Sequence, residues 1–395
     1  MKRKIVYGLI SVLLIVFGFT TYFLNNNKEN DDVVVNAEVD LNLKCGSSYL
    51  IEESTGKVIY AQNETAKMYP ASMTKMMGLI LVCEALENNE ISLDDMVSIS
   101  SEAASMGGSQ VFLQPLENIS VNELIKCVCI ASANDAMYAL SELVANTNEN
   151  FINKMNEKVK ELKLENTNFV NVTGFDDENH YSCAKDMAII GKELLKYKDI
   201  ILPYTSTYDS HIRENTDNPF WLVNTNKMVK YYKGMDGLKT GFTSKSGFCL
   251  TSTALRNNVR LISVVMNASS STIRNEMTKK LLDYGFSKVK ATTLYNANSE
   301  ITTINIDKAK NENIPLYTID EVKLIYEGTL DDSKITKEVI LNENAILPIK
   351  ANEIIATLRI TYNDEVTEYP LIVKEDIKPL SVLELFCKYI IDIMF

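Results

Sequence analysis

The chain has 395 residues, 46 % of them hydrophobic, enough for a catalytic-sized domain with its own core and a second, smaller domain. Its 52 acidic and 40 basic residues leave a formal charge of −12, which argues against nucleic acid or another polyanion as partner. The two histidines, His180 and His211, give a histidine-based triad or a His-rich metal site little to draw on, and the seven cysteines follow no metal or redox spacing. No metal or cofactor is expected, nor is a disulfide framework.

Lys2, Arg3 and Lys4 precede an apolar run over 5–24. A basic head followed by about twenty apolar residues reads as a signal peptide or a retained membrane anchor. No clear A-x-A site follows Leu24, and Val35-Asn36-Ala37 is a poor and distant candidate. Either reading exports the body of the protein from the cytoplasm. Residues 25–41 are polar and acidic and read as a linker. Segments 47–52 and 57–60 then predict a hairpin around Thr55-Gly56.

Pro70-Ala71-Ser72 opens a helix whose residues Met76, Met77, Leu79, Ile80, Leu81, Val82 and Leu86 are nearly all apolar, which implies burial. Ser72 and Lys75 stand three apart and share a face of that helix. Burial disfavours an ammonium, so Lys75 is a candidate neutral base for a Ser72 nucleophile. The helix N-terminus offers backbone N–H groups to a developing oxyanion. S-x-x-K also occurs at Ser54/Lys57, Ser182/Lys185 and Ser287/Lys290. The first lies in a turn, and the other two lack partner motifs in the right order.

The apolar stretch 124–130 leads to Ser132-Ala133-Asn134, placed before another helical pattern. A hydroxyl and an amide on a tight connection can face one cleft, where the first passes a proton and the second holds a carbonyl. Glu165 precedes Asn166-Thr167-Asn168 and reads as a surface residue before a loop. Segments 238–243, 248–255 and 260–267 predict strands, the last two joined at Asn257-Asn258, and 272–284 predicts a closing helix. The first strand carries Lys239-Thr240-Gly241. There Lys239 and Thr240 can hold a terminal carboxylate while Gly241 lets a peptide backbone approach and pair along the strand. Lys245-Ser246-Gly247 falls in the following turn.

The ordered set of S-x-x-K, S-x-N and K-T-G is that of penicillin-binding proteins and class A β-lactamases. The text Tyr69-Pro70-Ala71-Ser72-Met73-Thr74-Lys75, Ile130-Ala131-Ser132-Ala133-Asn134-Asp135 and Gly234-Met235-Asp236-Gly237-Leu238-Lys239-Thr240-Gly241-Phe242 resembles the D-alanyl-D-alanine carboxypeptidases of the low-molecular-weight penicillin-binding protein class, the S11 serine peptidases. Asn168 to Asn171 with Gly174-Phe175, and Asn224 to Lys227, resemble further family text. The resemblance implies a Ser72 acyl-enzyme with Lys75 as base. Ser132 would relay a proton to the departing D-alanine, Asn134 would orient the acyl chain, and Lys239 and Thr240 would bind the substrate carboxylate. The amides of Ser72 and Phe242 would form the oxyanion hole. It also implies peptidoglycan stem peptides as substrate and β-lactams as covalent inhibitors. Ala133, where the family usually has glycine, and Gln114-Pro115-Leu116-Glu117, which lacks the expected Gly-Glu, depart from the pattern without removing a reacting group. Glu165 lacks the register of the class A deacylating glutamate, which disfavours a β-lactamase. A DD-endopeptidase using the same serine is an alternative separable by substrate preference, and the intact motif set disfavours a non-catalytic wall-binding protein.

The expected fold is α+β: a β-lactamase/transpeptidase-like catalytic domain over 42–286, an antiparallel sheet with helices, followed by a small all-β, sandwich-like domain over 287–377. In that second domain 301–306, 322–326, 346–349, 355–360 and 368–373 read as strands. Residues 378–395 then predict an amphipathic helix with Leu383, Phe386, Ile390, Ile391 and Met394 opposite Glu384, Lys388 and Asp392. It is too short and too charged to span a bilayer, and the family resemblance implies that it lies on a membrane surface.

Overall fold

The computed structural model describes residues 40–394 except 215, 312, 343 and 344, with backbone only at 388, 389 and 391–394. The N-terminal segment expected to direct export and the expected linker up to residue 39 lie outside the described residues, as do the side chains of Lys388, Ile391, Asp392 and Met394. The chain divides into a unit 1–42, in which the Asn42 amide donates to Asp40 Oδ1 at 2.6 Å, and a unit 43–395.

In the larger unit, β1 (Ser47–Glu52) and β2 (Val58–Gln62) form the expected hairpin. The chain then leaves the sheet for a helical region containing α1 (Lys75–Glu87), α2 (Asn134–Ala145), α3 (Asn148–Glu161) and α4 (Ala184–Leu194). It returns as β3 (Met235–Thr243), β4 (Gly247–Arg256) and β5 (Val259–Ala268), and closes with α5 (Ser271–Lys288). All pairings are antiparallel in the order β2-β1-β5-β4-β3, so the first strand meets the last, with Tyr49 opposite Val264. β3 ends the sheet and keeps one edge unpaired there.

The sheet is covered on both faces, which explains why β1 is buried at every residue despite its short apolar run. A Cβ on Gly191 of α4 would meet Leu238 and Ile262, while one on Gly285 of α5 would meet Leu261 and Leu50. Leu261 and Ile262 are neighbours on one strand and point to opposite faces, so α4 and α5 cover opposite sides. α1 sits deeper still. Met76 to Cys83 are all buried, and Leu79, Ile80 and Val82 each contribute about 1.5–3 kcal/mol by leaving water. Cys83, Cys127 and Cys129 are buried small residues as expected, and all seven cysteines are free thiols.

The apolar stretch before Ser132 is not one regular element. A helix over Val121–Lys126 widens into a π turn at Cys127–Ala131 and stops at Ser132, whose φ of 64° is left-handed. Such widened turns recur at functional sites.

After Lys288 a two-stranded sheet joins β6 (Val289–Tyr295) to β9 (Val322–Glu327). A five-stranded sheet orders β7 (Glu300–Ile304), β8 (Ile314–Thr318), β12 (Glu365–Ile372), β11 (Ile354–Tyr362) and β10 (Thr336–Leu341). Leu316, Leu324, Leu358, Ile360 and Leu371 fill their common core. Three of these strands escape sequence reading: β8 carries Pro315, and β6 and β10 are half-exposed and polar. The strand expected over 346–349 reduces to one bridge between Ile349 and Ile377, because Pro348 has no N–H to give a ladder. Lys57 pairs with Glu365 at 2.8 Å, linking the first hairpin to β12.

The last helix, α6 (Val382–Met394), is capped by Ser381 and Glu384, each bonding the other's backbone amide. Leu383 and Phe386 are 73 % and 62 % exposed, and Ile390 is exposed too. Among the described residues no helix is long and apolar enough to cross a membrane.

Candidate active site

Ser72 lies on a 3-10 turn, Ala71–Thr74, that runs straight into α1. The turn is held from two sides by glycines. A Cβ on Gly241 of β3 would stand 2.7 Å from the Pro70 carbonyl oxygen, and one on Gly174 would stand 1.9 Å from that of Ala71. Ala71 itself has a φ of 48°, a strained value for a residue with a side chain, directly before the serine. Lys75 Nζ lies 2.8 Å from Ser72 Oγ and donates to the Thr173 carbonyl, also at 2.8 Å. Lys75 is fully buried. Burial first, and then the charge of Lys239, hold its ammonium well below the usual lysine range, against an opposing pull from Asp135.

Ser132 and Asn134 flank the junction between the π turn and α2. Asn134 Nδ2 donates to the Gly107 carbonyl at 2.7 Å, while Asn134 Oδ1 and Ser132 Oγ have no protein partner although both are buried. Buried polar atoms without partners are costly, and these two share one short motif. Asp135 accepts from the Val111 and Leu113 amides at 3.0 and 3.1 Å, fixing the loop that carries Gly107 and Gly108.

β3 carries the third motif. Lys239 is 2 % exposed and donates to the Thr240 carbonyl at 3.0 Å. Burial first and the nearby Arg274 guanidinium bring its pKa down to about 7, against the opposing effect of Cys129. Thr240 Oγ1 donates to Thr225 Oγ1 at 2.7 Å. Phe242 is 56 % exposed, with its ring 4.3 Å from that of Phe248 across the β3–β4 pair.

Thus Ser72 and Lys75 share a hydrogen bond, Gly241 packs against the Ser72 turn, and Lys239 is close enough to Lys75 to act on its pKa, while Ser132 and Asn134 stand at the start of α2 beside Asp135, whose charge also reaches Lys75. The other matches serve ordinary structure. Ser54 bonds Glu52, Ser182 bonds Thr167, and Ser287 bonds the Tyr284 carbonyl. Ser120 caps the helix Val121–Lys126, and Ser246 accepts the Thr243 amide within the turn. Glu165 is exposed. Glu117 of the divergent 114–117 text clamps Arg213 at 2.6 Å.

Sequence reasoning gave no role to four residues around the site, although Asn171 and the text His180-Tyr181-Ser182 resemble the family. Thr173 acts through its main-chain oxygen, which no side-chain motif reveals. Its loop is organised by Asn171 Oδ1, which accepts from the amides of Thr173, Gly174 and Phe175, and the spacing Asn171 to Gly174 was the available signal. Arg274 is buried on α5 with Asn275 Oδ1 as a hydrogen-bond acceptor, and its position relative to Lys239 is set only by the fold. His180 accepts the Val170 amide at Nδ1, which leaves Nε2–H to donate to Thr74 Oγ1 at 2.7 Å, tying the Ser72 turn to the 168–182 segment. Desolvation lowers its pKa to about 4.

Comparison with known proteins agrees with this geometry. The family model described as D-alanyl-D-alanine carboxypeptidase, peptidase S11, matches residues 33–270, and that of the penicillin-binding protein 5 C-terminal domain matches 290–379. The chain belongs to the S11 D-alanyl-D-alanine carboxypeptidase family. It is therefore a serine peptidase of the cell-wall class, with an α+β catalytic domain and a β-rich C-terminal domain. Among S11 relatives, the D-alanyl-D-alanine carboxypeptidase DacF of Bacillus subtilis is 41 % identical over 379 residues, covering 96 % of this chain and 95 % of its own. Penicillin-binding protein 5 of Haemophilus influenzae superposes with a TM-score of 0.67 at 29 % identity, over 85 % of this chain and 98 % of its own. Penicillin-binding protein D2 of Listeria monocytogenes, solved with ampicillin bound, gives a TM-score of 0.56 at 30 % identity, over 62 % of this chain and 99 % of its own.

Proposed function

We propose that Ser72 attacks the carbonyl between the last two D-alanines of a peptidoglycan stem peptide and carries the shortened peptide as an acyl-enzyme. The observation that supports this most is the fully buried Lys75 amine 2.8 Å from Ser72 Oγ, a base whose burial disfavours the charged form. Lys75 takes the Ser72 proton as the C–O bond forms. The amides of Ser72 and Phe242 receive the oxyanion. As the C–N bond breaks, Ser132, unpartnered and buried, relays the proton held by Lys75 to the leaving amine of D-alanine, which restores both groups, and Asn134 Oδ1 accepts an N–H of the acyl chain. Lys239 and Thr240 bind the terminal carboxylate, with Arg274 adding positive potential behind them. Gly241 leaves room for the peptide to pair along the free edge of β3. Water then attacks the ester and releases the peptide. A β-lactam is attacked at its amide carbonyl in the same way and stays on Ser72.

The basic and apolar N-terminal segment supports export, and the exposed Leu383, Phe386 and Ile390 on α6 support contact with a membrane surface outside the cytoplasm. Release of D-alanine from a D-Ala-D-Ala-ended peptide, present in the parent and lost in Lys75→Ala, tests the chemistry; an unchanged rate in the variant would remove Lys75 as base. Co-sedimentation with anionic vesicles, reduced in Phe386→Asp, tests the surface contact, and equal binding by both proteins would reject it.

A further inference from the structure

Two residues past the end of β3 lies a cavity of about 490 Å³. Lys245 and Ser246, on the turn after β3, form one wall, and Tyr69, immediately before Pro70-Ala71-Ser72, forms another; Lys67, Glu178 and Tyr181 also line it. Lys245-Ser246 and Tyr69 are thus direct extensions of the two elements that carry Lys239 and Ser72, and Met68 and Asn267 of β5 complete the lining. Its turn is fixed to β3: the Thr243 amide donates to Ser246 Oγ at 2.7 Å, and the Ser246 amide donates to Thr243 Oγ1 at 2.9 Å.

The lining has a definite chemistry. Lys67 Nζ lies 4.3 Å from the centre of the Tyr181 ring, and Lys245 Nζ lies 5.5 Å from that of Tyr69. Each ammonium is thus held over an aromatic face. Among the described residues neither has a carboxylate within ion-pair distance, so both remain open to an anionic ligand. Glu178 is the one acid on the lining, which leaves the cavity net positive in a chain of charge −12. Asp176, beside the same strand end, is engaged by Thr243 Oγ1 at 2.7 Å.

A peptide with its terminal carboxylate at Lys239 and Thr240 and its scissile carbonyl at Phe242 runs antiparallel to β3. Its upstream residues then advance past Thr243 toward Lys245 by roughly 3.4 Å each. We propose that this cavity is an upstream subsite of the peptidase that takes an acidic residue of the donor peptide, with Lys67 and Lys245 as partners of its carboxylate and the two tyrosine rings flanking its chain. The proposal rests on the reading of Ser72 as the nucleophile.

The test compares two tetrapeptides, glutamyl-alanyl-D-alanyl-D-alanine and its glutaminyl counterpart, both N-acetylated, on the full exported domain pair and on a Lys67→Ala/Lys245→Ala variant. D-Alanine release gives kcat/KM, and acylation by benzylpenicillin, which has no such upstream residue, reports the integrity of the Ser72 site. The parent should prefer the glutamyl peptide by roughly tenfold, as expected for two exposed ion pairs. The variant should lose that preference, process the glutaminyl peptide and react with penicillin at the parent's rates. A Lys67→Glu/Lys245→Glu variant should invert the preference. Equal use of both peptides by the parent, or the same preference in parent and alanine variant, would overturn the subsite. Failure of the parent to release D-alanine from either peptide or to react with penicillin would instead strike at the Ser72 reading.

Discussion

Gly174→Ala is the most informative small perturbation of this site. Gly174 has a φ of 90°, and a Cβ there would lie 1.9 Å from the carbonyl oxygen of Ala71, 2.2 Å from its carbon and 2.9 Å from the Ser72 nitrogen. Two costs follow. The left-handed backbone adds roughly 1–2 kcal/mol of strain for a residue with a side chain, equivalent to about 2–8 °C in melting temperature for a domain of this size. The contact also cannot be tolerated in place. Backbone must part by about 1 Å to reach the shortest separations real Cβ atoms show, moving either Ser72 or the Thr173 carbonyl that holds Lys75. A misplacement of that size costs about a hundredfold in rate. The assay is the second-order rate of acylation by a fluorescent penicillin, read beside a thermal melt. Gly56→Ala is the control: its φ of 75° imposes similar strain, but the nearest atom to its Cβ is the mobile Lys192 Nζ at 3.5 Å. It should melt lower and acylate normally. Gly174→Ala acylating at the parent rate would refute the claim that this glycine sets the nucleophile's position.

Ser132→Ala removes a hydroxyl that has no partner to lose, so its melt should stay within about 0.5 kcal/mol of the parent's while D-alanine release falls by roughly 10²–10⁴-fold; an unimpaired rate would exclude a proton relay at this position. For the peptide substrate, kcat/KM should fall on the alkaline side as Lys239, with a pKa near 7, loses the charge that binds the carboxylate, and on the acid side as Lys75 becomes protonated. Lys239→Arg, which stays charged, should remove the alkaline limb, and a limb unmoved in that variant would assign it elsewhere. His180 is neutral in the fold down to about pH 4, whereas the unfolded side chain binds a proton near 6.5. Its stabilising effect is therefore complete above 6.5 and is lost as pH falls, by about 2 kcal/mol at pH 5 relative to pH 8. Denaturant melts at those two pH values should show that loss in the parent and not in His180→Gln.

The candidate constellation was legible because its proposed reactive side chains sit in short motifs whose local structure is dictated locally. Proline before Ser72, an apolar helix behind Lys75 and a glycine after Thr240 each carry their own physical signature. Contributions made through backbone or across the fold were not legible. The Thr173 carbonyl has no side-chain identity, Arg274 reaches Lys239 only because α5 closes on the sheet, and Ser132 takes its left-handed conformation from a π turn that apolar periodicity reads as helix or strand alike. In the C-terminal domain, the strand interrupted by Pro348 was expected and is absent as a strand, while β8 forms in spite of Pro315. Apolar content decided the first reading, and pairing with β7 and β12 decided the second.

The central claim, a Ser72 acyl-enzyme supported by Lys75, is tested most directly by intact-mass analysis after brief exposure to benzylpenicillin, followed by peptide mapping, in the parent and in Ser72→Ala. The account predicts a single adduct of the antibiotic's full mass on the peptide containing Ser72, absent from the variant. An adduct on any other residue, or one that persists in Ser72→Ala, would contradict it.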